Sequence, residues 1–109
     1  MDIQVESLGN RRIVHIKGKI TFEHCPVLQT GLDSVVDERV REVVIDFKEV
    51  PFIDSSGVGE VLRLFKRMKD RGGEVILANP NQKLSDLFSM YRFDQFMKIR
   101  QEPDLNASK

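Results

Sequence analysis

The chain has 109 residues, 40% of them apolar, and its 17 basic and 17 acidic side chains leave no formal net charge. This length suits one compact domain and is too short for a two-domain enzyme with a cleft between its halves. The balanced charge argues against a nucleic-acid-binding protein, because neutralising phosphates requires an excess of lysine and arginine. The single cysteine, Cys25, excludes an internal disulfide and a paired-cysteine metal or redox motif.

No stretch of the sequence has the apolar run of a membrane span, and residues 1–4 lack the charged and apolar regions of a secretory leader. A lone cysteine suits a reducing compartment. We therefore expect a cytoplasmic protein that makes no contact with membranes.

The first predicted elements form a hairpin, because apolar and polar residues alternate on both sides of Gly9-Asn10 within residues 1–18. Apolar residues at helical spacing from Val27 to Val36 then predict a first helix. The β-branched run at residues 42–47 follows, and its composition is typical of a strand that is covered on both faces.

The second half of the chain continues the alternation. Apolar residues from Val58 to Met68 predict a second helix that ends at Gly72-Gly73, and residues 74–78 predict the next strand. A third helix, with apolar positions from Leu84 to Tyr91, follows Asn81, which can cap its first N–H groups. The run at residues 96–99 predicts a last, short edge strand.

These elements predict a single α/β domain over residues 1–100, followed by a polar, frayed tail over residues 101–109. Strands that alternate with helices after an opening hairpin imply a mixed, mostly parallel sheet flanked by helices.

Catalytic groups are scarce in this sequence. His15 falls within a predicted strand, where a surface or half-buried structural histidine is the better interpretation than a general base. His24 and Cys25 lie together at the start of the first helix, where packing is a simpler role than thiol chemistry. The cationic residues near the end of the second helix are typical of a helix C-terminus. We therefore expect no enzyme, no metal site and no cofactor.

Residues 52–59, Phe-Ile-Asp-Ser-Ser-Gly-Val-Gly, precede the second helix and differ from an ordinary helix start. Asp54 and the two serines could simply cap the helix. However, Gly57 and Gly59 each cost a helix roughly 1 kcal/mol relative to alanine, so capping alone does not account for them. We interpret the glycines as clearing side chains away from Ser55 and Ser56, where the positive end of a helix can accept a phosphate.

The run Asp54-Ser55-Ser56-Gly57 at a strand-to-helix junction resembles the phosphorylation motif of STAS domains, specifically of bacterial anti-sigma factor antagonists. The resemblance extends over about residues 3–100. It implies that Ser55, which directly follows the aspartate, accepts phosphate from an anti-sigma factor that is also a serine kinase. ATP and Mg²⁺ would belong to that kinase, and a separate phosphatase would remove the phosphate.

The resemblance also implies a set of partner-binding residues, namely Thr21, Asp46, Asp54, Ser56, Gly57 and Val58. The family often has an acidic Gly-Glu-Leu-Asp turn after the second strand, whereas this chain has Gly18-Lys19-Ile20-Thr21. Thr21 can still cap the first helix. Asp46 corresponds to an acidic residue that, in the family, ends the third strand near the phosphorylated helix.

The resemblance implies a partner-switching module that binds the anti-sigma factor until Ser55 is phosphorylated, and so regulates sigma-factor-dependent transcription. The alternative is a STAS-like scaffold or transporter-associated subunit in which Ser55 is never modified. A hydrolase with a serine nucleophile would need a nearby base, and neither His15 nor His24 is close to Ser55 in sequence.

Overall fold

A computed structural model describes residues 1–103 and residue 105. Its centre is a five-stranded sheet in which the spatial order of the strands follows their order in the chain. The first two strands are antiparallel and all other neighbouring pairs are parallel. The strands are β1 (Asp2–Leu8), β2 (Arg11–Lys17), β3 (Glu42–Glu49), β4 (Glu74–Ala78) and β5 (Lys98–Arg100).

Within the described residues, three α-helices pack on this sheet: α1 (Cys25–Asp33), α2 (Ser55–Asp70) and α3 (Gln82–Met90). Their buried side chains belong to one apolar cluster, together with alternate residues of β2, β3 and β4. The helices therefore cover the same face of the sheet. The predicted α/β class, the opening hairpin and the mixed, mostly parallel sheet are confirmed.

Several predicted boundaries differ from the structure, and β3, for example, extends to Glu49 beyond the predicted residues 42–47. The first helix ends at Asp33 instead of Val36, and a 3₁₀ turn at Phe22–His24 precedes it. The last strand begins at Lys98 rather than at residue 96, because Phe96 ends a 3₁₀ turn and Met97 is buried in the helix-side core. After the first helix and before the last strand, apolar residues such as Val35 and Met97 are buried in the core although they lie outside a helix or a strand.

The opposite face of the sheet has its own buried cluster, made of Ile13, Val44, Ile76, Ala78 and Leu105. Leu105 reaches this face because the segment before it is held in place. The Asn79 side chain accepts a hydrogen bond from the Glu102 backbone N–H at 2.7 Å and donates to the Glu102 carbonyl at 3.0 Å. The segment predicted to be frayed is thus anchored at Glu102 and Leu105, while residues 104 and 106–109 lie outside the described residues.

Candidate functional site

Asp54 is the residue that organises the start of α2. It precedes the helix in an extended conformation, and its Oδ1 accepts the backbone N–H of Gly57 at 3.1 Å. Its Oδ2 accepts the backbone N–H of Phe22 at 2.9 Å. One carboxylate therefore caps α2 and also holds the turn that leads into α1.

The backbone also brings these two segments together, independently of the Asp54 side chain. Ile20 and Ile53 form a parallel bridge, in which the Ile20 N–H donates to Phe52 and the Asp54 N–H donates to Ile20. The loop after β2 therefore continues the pairing of β2 with β3 beyond the ends of both strands. This extension places Thr21 and Phe22 beside the N-terminus of α2.

Ser55 occupies the first position of α2 and is exposed, whereas Ser56 is half-buried. Among the described residues, no side-chain hydrogen bond engages either hydroxyl. A helix that only needed a cap already has one in Asp54. The Ser55 hydroxyl is thus left free at the positive end of a helix, where negative charge is favoured.

The two glycines of the motif have different roles. A Cβ on Gly57 would lie 2.6 Å from Ile53 Cγ1 and 2.7 Å from Ile20 Cγ2, so Gly57 permits close packing beneath the helix. A Cβ on Gly59 would meet nothing within 4 Å. The interpretation that both glycines clear the surface near the serines therefore fails for Gly57, which faces inward, and only Gly59 leaves bare backbone one turn after Ser55.

Apolar side chains stand exposed on both sides of Ser55. Phe22, held by Asp54, is 75% exposed. On the other side, Phe52 and Met90, which is 68% exposed, border a shallow groove between the segment before α2 and helix α3. Sequence reasoning missed these residues, although an apolar Phe22 directly after a polar turn was a visible sign. Exposed apolar groups around a free hydroxyl are typical of a protein-binding surface.

The residues at the start of α1 have structural roles. Thr21 caps the 3₁₀ turn and not α1, and its backbone N–H donates to His24 Nδ1 at 3.2 Å. Burial raises the pKa of the Cys25 thiol, and the negative charges of Glu60 and Asp54 raise it further. A raised pKa disfavours the thiolate, so the site does not activate Cys25 as a nucleophile.

The structure does not bring every predicted contact residue to this surface. Gly57 and Val58 lie on the buried face of α2, so they shape the surface from below. Asp46 is only 4% exposed and its Oδ2 lies 2.8 Å from His15 Nδ1. Successive side chains of a strand point to opposite faces, so Asp46 lies on the face away from α2.

Asp46 instead belongs to a polar network on that second face. Its Oδ1 accepts from Asn79 Nδ2 at 3.1 Å, and the other ring nitrogen of His15 contacts Glu6 at 3.0 Å. This network links β1, β2 and β3 to the anchored C-terminal segment. His15 is therefore a half-buried structural histidine, as its position in the sequence suggested. The family-based placement of Asp46 near α2 is corrected.

The family model of the STAS domain matches residues 2–105 of this chain. This region contains all the site residues, Thr21, Asp54, Ser55, Ser56 and Gly59. The chain belongs to the STAS domain family. Among known members it is similar to anti-sigma factor antagonists. It is 28% identical over 102 residues to the anti-sigma F factor antagonist of Paenibacillus polymyxa, covering 91% of this chain and 87% of that protein. It is 31% identical over 90 residues to the anti-sigma-B factor antagonist of Bacillus subtilis strain 168, covering 83% and 82%.

Solved structures support the same fold. The anti-sigma factor antagonist SpoIIAA in its unphosphorylated form superimposes with a TM-score of 0.78 at 19% identity, over 98% of this chain and 94% of that one. The phosphorylated form of the Bacillus protein SpoIIAA gives the same TM-score, over 98% and 96%. The predicted STAS resemblance is confirmed. Across the described part of this STAS domain, none of the helices is both long and apolar enough to cross a bilayer.

Proposed function

We propose that this chain is a phosphorylation-controlled anti-sigma factor antagonist that works in the cytoplasm and is itself no enzyme. With Ser55 unmodified, it binds an anti-sigma factor that is also a serine kinase, and the sigma factor is released. The observation that carries the proposal is the exposed Ser55 hydroxyl at the first turn of α2, beside a carboxylate that already caps the helix.

The separate roles of Asp54 as the helix cap and of Ser55 as a free hydroxyl support this function. Because Asp54 satisfies the Gly57 N–H, Ser55 is not needed as a cap and is available for modification. Thr21, Asp54 and Ser56 form the polar part of the contact surface, Gly59 leaves it flat, and Phe22 supplies an apolar anchor. The relatives that are named anti-sigma factor antagonists support the choice of partner.

The phosphoryl transfer uses groups from both proteins. The Ser55 oxygen attacks the γ-phosphorus of ATP held by the partner kinase with Mg²⁺, ADP leaves, and the serine proton passes to a base of the kinase. The product carries a dianionic phosphate next to Asp54, which a partner shaped for a neutral hydroxyl cannot accommodate. The chain is then released until a phosphatase hydrolyses the phosphoserine.

The alternative, a STAS-like scaffold or transporter-associated subunit, would use the same surface without modification. Incubation with the candidate anti-sigma kinase, ATP and Mg²⁺, followed by intact and tandem mass spectrometry, separates the two functions. We expect a single phosphate on Ser55, lost in Ser55→Ala and kept in the matched control Ser56→Ala. Phosphate on Ser56 alone would overturn the site, and no phosphate with an active kinase would favour the scaffold.

A further inference from the structure

The two edges of the sheet are protected to different degrees. Edge strand β5 has only three residues and carries Lys98 and Arg100, and short length and cations are devices that keep sheet edges from pairing. Edge strand β1 has seven residues, no lysine and no proline, and it pairs with β2 in an unbroken register. Its outer edge is therefore a long, regular row of backbone donors and acceptors.

An apolar groove lies directly beside this edge, between β1 and α1. A Cβ on Gly31 would lie 3.0 Å from Ile3 Cδ1, so the glycine lets α1 approach the strand closely. Val5 and Val27 are 44% and 57% exposed on the groove walls. The groove has no charged residue in its lining, which consists of Ile3, Val5, Pro26, Val27, Thr30 and Gly31.

We propose that β1 pairs antiparallel with β1 of a second copy of this chain, with Val5 opposite Val5. Side chains that oppose each other must point to the same face of a continuous sheet, so the register can shift only by pairs of residues. Centring the pair on Gln4 would set Asp2 opposite Glu6 twice, and centring it on Glu6 would set two Glu6 carboxylates together. Centring it on Val5 opposes Gln4 to Glu6 and Asp2 to Leu8, so that no two like charges are directly opposite each other.

This register uses the whole strand and makes a two-fold symmetric interface, in which the same patch serves both copies. The two-fold axis passes between the Val5 side chains and brings the two apolar grooves side by side. Val5 and Val27 of both copies then lose contact with water. The interface includes neither Ser55 nor Phe22, so it is separate from the surface proposed to bind the anti-sigma factor.

Opposite charges at Gln4 test the pairing, because each substitution acts twice in the symmetric dimer. Sedimentation equilibrium of the full chain at low salt gives the dimer dissociation constant. We expect Gln4→Lys, opposite Glu6, to strengthen the dimer and Gln4→Glu to weaken it, each by roughly two- to thirtyfold. Gln4 is exposed, and melting curves confirm that both variants fold.

Cross-linking tests the register. In a Cys25→Ser background, Val5→Cys should form a disulfide-linked dimer under mild oxidation, because the two side chains face each other. Ser7→Cys is the matched control, since two Ser7 positions would be about 13 Å apart in this register. A wild-type protein that stays monomeric at all concentrations, equal shifts for both Gln4 variants, or equal cross-linking of the two cysteine variants would overturn the proposal.

Discussion

Asp54 holds Phe22 across 32 residues of sequence, its Oδ2 accepting the Phe22 backbone N–H at 2.9 Å. The same carboxylate caps α2 through the Gly57 N–H. The position of the most exposed aromatic ring near Ser55 is therefore tied to the start of the helix that carries Ser55. A change at Asp54 should affect both the stability of the domain and the order of the binding surface.

Replacing Asp54 by alanine should lower the free energy of unfolding by about 1 to 3 kcal/mol, because two backbone N–H groups lose a charged acceptor. Asp54→Asn keeps one side-chain oxygen and should lose less. Urea unfolding of both variants gives the order wild type, asparagine, alanine. Equal stability of all three proteins would show that neither hydrogen bond contributes.

Replacing the two glycines of the motif by alanine should change the stability of the domain in opposite directions. Gly57→Ala should destabilise by about 1 to 3 kcal/mol, because its Cβ would overlap Ile53 and Ile20. Gly59→Ala has open space and should stabilise the helix by about 0.5 to 1 kcal/mol. If Gly59 is kept bare for a partner, the more stable variant should nevertheless bind the anti-sigma factor less tightly. Calorimetric binding and thermal melting on the same samples measure both effects.

The fold was predictable because residues that face the core must be apolar, which gives each element its periodicity. Almost every predicted strand and helix contributes residues to the core. The last strand was predicted to start too early, at Phe96. An apolar run such as Phe96-Met97 fits a strand, but here it belongs to a turn whose methionine is buried in the core. At the site, local sequence predicted a cap at Asp54 and placed Ser55 at the start of α2, and the structure confirms both positions. The bond from Asp54 to Phe22 joins distant segments, so local sequence could not show it.

Asp46 was misplaced for a related reason. A family pattern gives the position of a residue along a strand, but its face depends on the alternation of the side chains around it. Asp46→Asn should destabilise the domain by about 1 to 3 kcal/mol, because the buried contact with His15 loses its charged partner. Its affinity for the anti-sigma factor should stay at the wild-type value, whereas Thr21→Ala should weaken binding and lose about 0.5 to 2 kcal/mol of stability with its cap. Reduced affinity in folded Asp46→Asn would return this residue to the contact surface.

The stability of the domain should depend on pH partly through Glu102 in the anchored C-terminal segment. Burial by itself would raise the pKa of Glu102, but hydrogen bonds from Arg100 and Arg11 outweigh it and hold this pKa below the usual value. A lowered pKa in the native state stabilises the protein above the unfolded-chain value of about 4.3, and this contribution is lost as the pH falls through the native value. Glu102→Gln should therefore be less stable than wild type at neutral pH. Unfolding measured down to acid pH should show the two curves converging, and a constant difference would contradict the prediction.

Phosphorylation of Ser55 should change binding without unfolding α2. A phosphate carries about −1.5 to −2 charges, and at a helix N-terminus it is favourable by roughly 0.3 to 1 kcal/mol, so local melting is not expected. A thousandfold loss of affinity requires only about 4 kcal/mol, which one poorly accommodated charge at an interface can supply.

Substitutions at Ser55 separate the charge from the fold. Ser55→Ala should keep the wild-type melting temperature and bind the anti-sigma factor whether or not kinase and ATP are present. Ser55→Asp should also keep the fold and bind poorly, with a partial defect because aspartate carries a smaller anion with about one charge. Ser7→Asp is the matched control, because it adds the same charge at an exposed serine of β1, outside the proposed contact surface. If both Ser55 variants bind like wild type in calorimetry, Ser55 is not the switch and the scaffold alternative is favoured.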